Sequence, residues 1–312
     1  MPSTIHSSPH ASDRAPTVAS ADAPRVAFQG EHGAYSDEAI VLHWGGAARA
    51  VPARECADVA AAVERGAVDY GLLPIENTLA GSVVATYDAL AAAPHATVVG
   101  EVVLPIHHCV LALPGASLAS LATVESHPIA LAQCRRFLAA HEHVEARAAY
   151  DTAGAARAVA ERGDARCAAI ASRAAAARFG LRVLAADVED RADNQTRFLV
   201  IARSPAAIPP ATAARTVMLA HTDNVPGALL RLLAPIAEAG LNMSKLESRP
   251  AGTPWSYGFF LEVEHQSADP RLDSVVAALR EAAQELRVLG TYAVASGHRA
   301  ARVTSRMEKA DG

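Results

Sequence analysis

Short apolar segments with strand character alternate with amphipathic helical segments along the first part of the chain. The predicted elements are strands at 25–29, 49–52 and 70–74 and helices at 36–44, 56–65 and from 82 onwards. Ser36 is the expected N-cap of the first helix, because its hydroxyl can accept a hydrogen bond from a free amide in the first turn. This alternation restricts the fold to a mostly parallel sheet covered by helices on both faces. Sites in such sheets form beyond the carboxyl ends of strands, where segments 30–36 and 75–82 lie.

A second set of strands and helices follows an extended segment that is interrupted at Pro105. Its predicted elements are strands at 121–125, 145–149, 168–171 and 182–186 and helices at 128–140, 152–161 and 173–179. A last apolar strand, 196–203, is expected to return to the first set. The sequence therefore predicts an α/β chain with two lobes and a cleft between them. The lobes are residues 24–103 with 198–204, and residues 104–197.

The last third of the chain has a different order of elements. The proline-containing segment 204–214 is expected to be a linker. Beyond it the pattern predicts a strand at 215–221, a helix from Pro226 to Gly240, strands at 241–248 and 256–264, a helix at 270–284 and a strand at 286–293. This βαββαβ order is the ferredoxin-like arrangement. Because such domains usually pair with a second copy, a homodimer or a homotetramer is expected.

The composition excludes several classes of function. The net charge of -5 gives no basic surplus, so neither nucleic acid nor an anionic membrane is an expected partner. The four cysteines are widely spaced, which favours reduced thiols, and the histidines lack zinc-ligand spacing, so no metal is expected. Residues 1–23 lack the apolar core of a signal peptide and are expected to be a disordered tail, and residues 296–312 are expected to be a second tail. We therefore expect a cytoplasmic protein.

The run Asp193–Val200 places polar side chains directly before an apolar strand. Because Phe198 begins the buried part of that strand, the residues 194–197 are expected at its start, on the rim of the cleft. A threonine hydroxyl there can donate to an oxygen, and an arginine can hold an anion. The run therefore indicates a binding or catalytic site on the rim of the cleft.

Three further segments accompany this run, and together they resemble one family. They are Gly-Glu-His-Gly-Ala-Tyr-Ser at 30–36, Leu-Pro-Ile-Glu-Asn-Thr-Leu-Ala-Gly-Ser-Val at 73–83, and Glu-Ser-His-Pro at 125–128 with Gln-Cys at 133–134. In this order, followed by Asn-Gln-Thr-Arg-Phe, they resemble the prephenate dehydratases, including the closely related arogenate dehydratases. The resemblance covers about residues 24–295. It implies a catalytic domain, 24–204, folded like type II periplasmic binding proteins, and an ACT regulatory domain, 214–295.

The resemblance also implies an activity. Prephenate dehydratases convert prephenate into phenylpyruvate in L-phenylalanine biosynthesis, with loss of carbon dioxide and the ring hydroxyl. Aromatisation drives this elimination, so no cofactor is expected. The implied catalytic residues are Thr196, Asn77 and Gln133, with Thr196 as the hydrogen-bond donor to the departing oxygen. The implied substrate-binding residues are Ala34, Tyr35, Ser36, Gly81, Ser82, Ser126, His127, Arg197 and Phe198.

Several of these residues have a second, structural interpretation. Arg197 can offer a planar fork to a substrate carboxylate, but an arginine at a strand end is otherwise often salt-bridged. Ser126 and His127 can simply cap the helix that begins at Pro128. Tyr35 can be a core residue with a bonded hydroxyl. Glu76 is expected to orient loop amides or to pair with an arginine, because a carboxylate repels a dianionic substrate.

Two segments of the C-terminal domain resemble the phenylalanine-binding motifs of ACT domains. The implied effector-binding residues are Gly227, Ala228 and Leu229 in one segment and Glu247, Ser248, Arg249 and Pro250 in the other. L-Phenylalanine is therefore the expected allosteric effector, bound in a pocket that can lie between subunits. Two alternatives remain: arogenate as the substrate, and a non-catalytic two-lobed metabolite-binding protein.

Overall fold

Three β-sheets organise the residues that the computed structural model describes, which are 23–210, 212–252 and 256–295. The first sheet has the strand order β2-β1-β3-β11-β5, with the short β4 beside β3. These strands are β1 (Arg25–Gln29), β2 (Arg49–Ala53), β3 (Tyr70–Asn77), β4 (Gly81–Ser82), β5 (Thr97–Pro105) and β11 (Gln195–Ala202). Strands β1, β2 and β3 are parallel, whereas β11 is antiparallel to β3 and β5. The sheet is thus parallel on one side and antiparallel on the other.

Three helices belong to this first lobe: α1 (Tyr35–Trp44), α2 (Cys56–Glu64) and α3 (Val84–Ala91). The prediction that Ser36 is the N-cap of α1 is wrong. The helix begins at Tyr35 with Ala34 as its N-cap, and no side chain caps it. Instead, the Asp37 carboxylate reaches back and accepts the Gly33 amide at 2.8 Å. Ser36 lies one residue inside the helix and is buried.

The second sheet, with the order β10-β6-β9-β7-β8, forms the second lobe. Its strands are β6 (Cys109–Ala112), β7 (Thr123–Ser126), β8 (Glu145–Ala148), β9 (Cys167–Ala171) and β10 (Arg182–Ala185). The α-helices of this lobe are α4 (Pro128–Ala132), α5 (Arg135–Ala139), α6 (Thr152–Arg162) and α7 (Arg173–Phe179), and a 3-10 turn spans Leu118–Ser120.

The single helix predicted at 128–140 is broken into α4 and α5 at Gln133. Asp190, from a distant part of the chain, accounts for the break. Its amide donates to the Gln133 carbonyl oxygen at 2.6 Å, and its carboxylate accepts the amides of Arg135 and Arg136 at 3.1 and 2.9 Å. Asp190 thereby ends one helix and caps the next.

Two segments, 106–108 and 186–194, connect the lobes and lie side by side. The Ile106 amide donates to the Asn194 carbonyl at 2.8 Å, and the Val188 amide donates to the His108 carbonyl at 3.0 Å. Strand β11 then starts at Gln195, before the apolar run, because its ladder with β5 begins there. The double connection gives the two-lobed fold that the sequence predicts.

The third sheet is antiparallel throughout, with the order β13-β14-β12-β15. Its elements are β12 (Ala213–His221), α8 (Ala228–Glu238), β13 (Asn242–Pro250), β14 (Tyr257–Gln266), α9 (Pro270–Ala282) and β15 (Glu285–Ala293). This is the predicted ferredoxin-like arrangement. Helix α8 starts later than predicted, because Gly227 (φ 79°) is its left-handed N-cap and Pro226 lies outside.

One face of the third sheet carries α8 and α9, and the other packs on the first lobe. The residues Val217, Leu219, Phe260, Leu289 and Tyr292 share an apolar core with Val59, Leu73, Val98 and Leu199. Strand β15 approaches β5 so closely that a Cβ at Gly290 would overlap the Val98 carbonyl oxygen. Two parts of the chain that look separate in sequence therefore share one core.

No helix among the described residues is long and apolar enough to cross a membrane. The tails predicted at 1–23 and 296–312 lie outside the described residues, apart from Ala23.

Candidate active site

Two cross-strand residue pairs stand next to each other where β3 ends and β11 begins. Thr196 lies opposite Asn77, and Arg197 lies opposite Glu76. Successive residues of a strand point to opposite faces of a sheet, so the two pairs have different surroundings. Asn77 contacts Gln133 of the second lobe, whereas Arg197 and Glu76 contact the third sheet. One pair therefore faces the junction of the lobes and the other faces the C-terminal domain.

The amide group of Asn77 is oriented by the loop that follows it. Its Oδ1 accepts the backbone amides of Leu79 at 3.0 Å and Ala80 at 2.9 Å. Its Nδ2 therefore donates to Thr196 Oγ1 at 3.0 Å and to Asn194 Oδ1 at 2.8 Å. Among the described residues, no acceptor takes the hydrogen of the Thr196 hydroxyl. That hydroxyl can donate to a bound molecule.

Gln133 joins the second lobe to this pair and fixes the tautomer of a buried histidine. Its Nε2 donates to Asn77 Oδ1 at 3.3 Å, so its Oε1 accepts from Asn194 Nδ2 at 3.0 Å and from His108 Nε2 at 2.9 Å. His108 therefore carries its hydrogen on Nε2. Its free Nδ1 accepts the Tyr35 hydroxyl at 2.6 Å.

His108 and Tyr35 are both neutral near pH 7. Burial lowers the pKa of His108, because the imidazolium form loses its hydration. Burial also raises the pKa of Tyr35 well above its usual value, and Glu38 adds to this effect. The Glu189 carboxylate accepts the His108 backbone amide at 2.8 Å and so anchors the crossing segment. The network is thus a rigid set of neutral groups that ends at the Thr196 hydroxyl.

The structure corrects the expected substrate role of Arg197. Its buried guanidinium contacts Glu76 at 2.7 Å, Glu101 at 3.3 Å and Glu262 at 2.9 Å, each through a different nitrogen. Burial alone would lower the pKa of Arg197, but neighbouring charges, Glu262 above all, raise it above its usual value. Because every nitrogen is engaged, the salt-bridged interpretation is the correct one.

Three other expected substrate residues are buried or engaged elsewhere. The Phe198 side chain is 1% exposed, in an apolar core with Phe28 and Ile40. Ser126 is fully buried, and its hydroxyl donates to the Ile170 carbonyl at 2.5 Å. Neither side chain can reach a substrate without unpacking the lobe. Ser82 donates to Glu247 of the third sheet at 2.6 Å, so it serves the contact between domains.

The remaining expected substrate residues surround the junction of the lobes. His127 caps α4, with its Nδ1 accepting the Ile129 amide at 3.3 Å, as in its structural interpretation. Gly81 begins β4 and is exposed. Ala34 is buried beside the second lobe, and the Gly33 carbonyl accepts the Ser172 hydroxyl at 2.9 Å across the lobes. Segment 33–36 therefore touches the second lobe, as a cleft-lining segment must.

Two cavities adjoin this network. One of about 340 Å³ is lined by Asn77, Thr78 and Gln195, together with Glu76, Val103 and Arg197. The other, of about 550 Å³, is lined by Gln133, Arg135 and Arg191 among others. Within the described chain, no acceptor contacts the Arg135 guanidinium, so this cavity offers an uncommitted cation. Thr196 lines neither cavity.

Comparison with known proteins identifies the family. The family model for prephenate dehydratase matches residues 26–206. The chain belongs to the prephenate dehydratase family. Arogenate dehydratase 2 of Petunia hybrida is 40% identical over 288 residues, which is 88% of this chain and 72% of the relative. The prephenate dehydratase of Amycolatopsis methanolica is 35% identical, over 88% of this chain and 90% of the relative. Membership makes this chain a dehydratase.

Two solved structures are similar to this chain over most of its length, and one of them is a prephenate dehydratase. The prephenate dehydratase of Arthrobacter aurescens in complex with L-Phe has a TM-score of 0.80 at 29% identity, and the match covers 92% of this chain and all of that one. A structure described as GqqA, a novel type of quorum quenching acylase, has a TM-score of 0.81 at 35% identity over 88% of this chain and 99% of that one. The fold is therefore that of the family over both domains.

The two segments expected to bind an effector in this family member lie toward the same end of the third sheet, because Arg249 of β13 and His221 at the end of β12 both lie opposite Gly258 of β14. Glu247 and Arg249 contact the first lobe, through Ser82 at 2.6 Å and Asp88 at 3.1 Å. Ser248 and Pro250 are exposed on the same strand, and in the other segment Gly227 is exposed while Ala228 is buried and Leu229 half-buried. Within the described chain, no hydrogen bond joins the two segments. Their common role stays a prediction.

Sequence reasoning missed His108 and Glu189, and it gave Asn194 no role in the site. Asn194 lies in the polar run, so its position was the available signal. His108 offered none, because its partners come from three distant segments. His107, Asp187 and Glu189 also gather at the crossing, with His107 Nδ1 at 2.8 Å from Glu189 and 3.6 Å from Asp187. Ligand spacing in sequence could not detect such a group.

Proposed function

We propose that this protein is a prephenate dehydratase of L-phenylalanine biosynthesis. It converts prephenate into phenylpyruvate, carbon dioxide and water. One observation carries the proposal: Thr196 Oγ1 accepts a hydrogen bond from Asn77 while its own hydrogen has no acceptor within the described chain. A hydroxyl in this state is a positioned donor for an oxygen that gains charge in the transition state.

The proposed reaction breaks two bonds of the substrate. The bond between the ring and its carboxylate breaks, and its electron pair enters the ring as carbon dioxide leaves. The bond between the ring and its hydroxyl oxygen breaks, and that pair leaves with the oxygen. Thr196 donates to this oxygen, and a proton completes the water molecule. Asn77 strengthens the donor, because a hydroxyl that accepts a hydrogen bond donates more strongly.

The same geometry disfavours acyl transfer, the activity named for the similar GqqA structure. A threonine nucleophile needs a base within hydrogen-bond reach. The neighbour of Thr196 Oγ1 is instead a donor, Asn77 Nδ2, and His108 is separated from it by Gln133. We therefore infer that Thr196 acts as a donor and not as a nucleophile.

The substrate carries two carboxylates, and the lobes offer two kinds of partner. Arg135 supplies an uncommitted cation beside Gln133. The first turn of α1 supplies backbone amides at Tyr35 and Ser36, and no side chain caps that helix. Because Thr196 lines neither cavity, we infer that the lobes separate to admit the substrate and then close over it.

We also propose that L-phenylalanine regulates the enzyme through the C-terminal, ACT-like domain. Support comes from the similar Arthrobacter aurescens structure, which is a complex with L-Phe. We propose a homodimer or homotetramer as the working form. Strand β13 is an unpaired edge of its sheet within the described chain, and Leu230 on the neighbouring helix α8 is 73% exposed. Both features suit contact with a second copy.

Arogenate is the second candidate substrate, favoured by the 40% identity to a petunia arogenate dehydratase. The decisive experiment incubates the enzyme with prephenate and with arogenate and follows phenylpyruvate and phenylalanine. We expect a higher kcat/KM for prephenate. A preference for arogenate of about tenfold, or 1.4 kcal/mol, would change the substrate but keep the chemistry. An absence of turnover with both would overturn the proposal.

A further inference from the structure

Lysine is rare in this chain, and one lysine lies largely buried between the two domains. Of the 28 lysine and arginine residues, Lys245 and Lys309 are the lysines. The Lys245 side chain is 12% exposed. Every other cation in the described residues is an arginine or a histidine, so the choice of lysine at 245 calls for a physical reason.

The surroundings of Lys245 supply that reason. Its Nζ donates to Glu76 Oε2 at 2.5 Å and to Ser82 Oγ at 3.2 Å, and it lies 5.8 Å from the centre of the Tyr87 ring. An ammonium is a compact point charge whose three donors share one nitrogen, whereas a guanidinium spreads its donors over three nitrogens in one plane. The site is thus shaped for a point charge.

Glu76 links Lys245 to the two strands that carry Asn77 and Thr196. Its second oxygen, Oε1, accepts Arg197 Nε at 2.7 Å. Glu76 precedes Asn77 in β3, and Arg197 follows Thr196 in β11, so each linking residue is the covalent neighbour of a predicted catalytic residue. The ladder register shifts immediately after Arg197. Such a bulge leaves the pair at the strand ends less constrained by regular pairing.

Lys245 also lies close to the expected effector segment. It precedes Glu247 by two residues on the same strand, β13, so both side chains point to the same face of the sheet. Glu247 and Lys245 both contact Ser82. A ligand that moves this part of β13 must therefore alter the contacts of Lys245 with the first lobe.

We propose that Lys245 is a positioning residue through which the C-terminal domain controls the catalytic pair. Its ammonium holds Glu76, and thereby Arg197, so that Asn77 and Thr196 keep the alignment required for turnover. A ligand bound along β13 changes turnover by displacing Lys245. This second part rests on the proposed regulation by L-phenylalanine.

The test compares Lys245→Met and Lys245→Arg with a matched control, Asp88→Asn. The control also removes an ion pair between β13 and the first lobe, that of Arg249, but this pair leads to α3 and not to the catalytic strands. For each variant, kcat and KM for prephenate are measured with and without saturating L-phenylalanine. Calorimetry gives the Kd of L-phenylalanine.

We expect the wild type to respond to L-phenylalanine by at least about 5-fold in kcat, a usual size for allosteric coupling. Lys245→Met should bind L-phenylalanine within about 3-fold of wild type but respond by less than about 2-fold. Lys245→Arg should recover part of the response. Asp88→Asn should keep all of it at L-phenylalanine concentrations that saturate this variant by its own Kd, because Arg249, the partner of Asp88, is itself an expected effector-binding residue. An undiminished response in Lys245→Met, or an equal loss in Asp88→Asn, would overturn the inference.

A second measurement separates this inference from the proposed function. Lysine labelled with ¹³C at Cε gives two side-chain signals, and Lys309→Arg assigns them. L-Phenylalanine should shift the Lys245 signal even if prephenate proves not to be the substrate. Binding of L-phenylalanine without that shift overturns the inference. If L-phenylalanine does not bind, the regulatory proposal fails, and an unchanged kcat in Lys245→Met then overturns the positioning role.

Discussion

Replacing Arg197 by methionine tests the charge cluster between the domains. The substitution removes the guanidinium but keeps an apolar stem. Two of its three carboxylate partners retain another cation: Glu76 keeps Lys245 at 2.5 Å, and Glu101 keeps Arg215 at 2.8 Å. Glu262 keeps none within the described chain, and its side chain is 5% exposed. The substitution therefore leaves one buried, unpaired carboxylate.

The expected loss of unfolding free energy follows from this one unpaired carboxylate. Removing one partner of a buried ion pair usually costs ~3–5 kcal/mol, because the other charge stays desolvated and unpaired. With a urea m value of ~3 kcal/mol/M for a large domain, the unfolding midpoint should fall by ~1–2 M. The double variant Arg197→Met with Glu262→Met should recover most of the loss, since a buried pair can often be replaced by apolar groups at little cost.

The assay is urea unfolding of the wild type, both single variants and the double variant, followed by circular dichroism. A coupling energy of ~2 kcal/mol or more between the two positions is expected from the cycle. If Arg197→Met costs less than ~1 kcal/mol, the cluster does not hold the domains as described. If the double variant is no more stable than Arg197→Met, the loss comes from packing and not from an unpaired charge.

Three further predictions concern His108, Tyr35 and Arg135. Burial lowers the pKa of His108 in the folded protein. The contribution of neutral His108 to the free energy of unfolding is therefore present above about pH 6.5 and is lost as the pH falls below that value. Urea midpoints measured at several pH values will check this. Protonation also turns Nδ1 into a donor facing Tyr35, so kcat should fall on the acid side, and Tyr35→Phe should move that fall to higher pH. An unmoved profile contradicts the assigned tautomer. Arg135→Met should raise KM by ~10-fold at nearly constant kcat, whereas a lower kcat at constant KM would contradict its binding role.

Local sequence signals are enough for the order of elements and for the amide pair. The alternation of strands and helices predicts both lobes, and the βαββαβ order predicts the third sheet. The motifs that contain Asn77, Gln133 and Thr196 lie far apart in sequence, yet the structure brings these three residues into one hydrogen-bonded group. The order of the motifs was sufficient here, because each motif lies where a strand or a helix begins or ends at the junction of the lobes.

Long-range contacts decide what the sequence could not show. The face to which Arg197 points depends on the register of β11 against β5, in which Gln195 lies opposite Pro105. The break at Gln133 depends on Asp190, which pairs with the chain only after the second crossing. The role of His108 depends on Tyr35 and Gln133, which are distant from it in sequence. Each of these features is a property of the assembled lobes and has no local pattern.

The central claim is that the Thr196 hydroxyl assists the departure of the substrate hydroxyl, and one substitution tests it most directly. Thr196→Val keeps the shape of the side chain and removes the donor, while Thr196→Ser keeps the donor as a matched control. With prephenate as substrate, kcat of Thr196→Val should fall by ~10²–10³ with KM little changed, and Thr196→Ser should stay within ~10-fold of the wild type. A folded Thr196→Val enzyme with near-normal kcat would contradict the account.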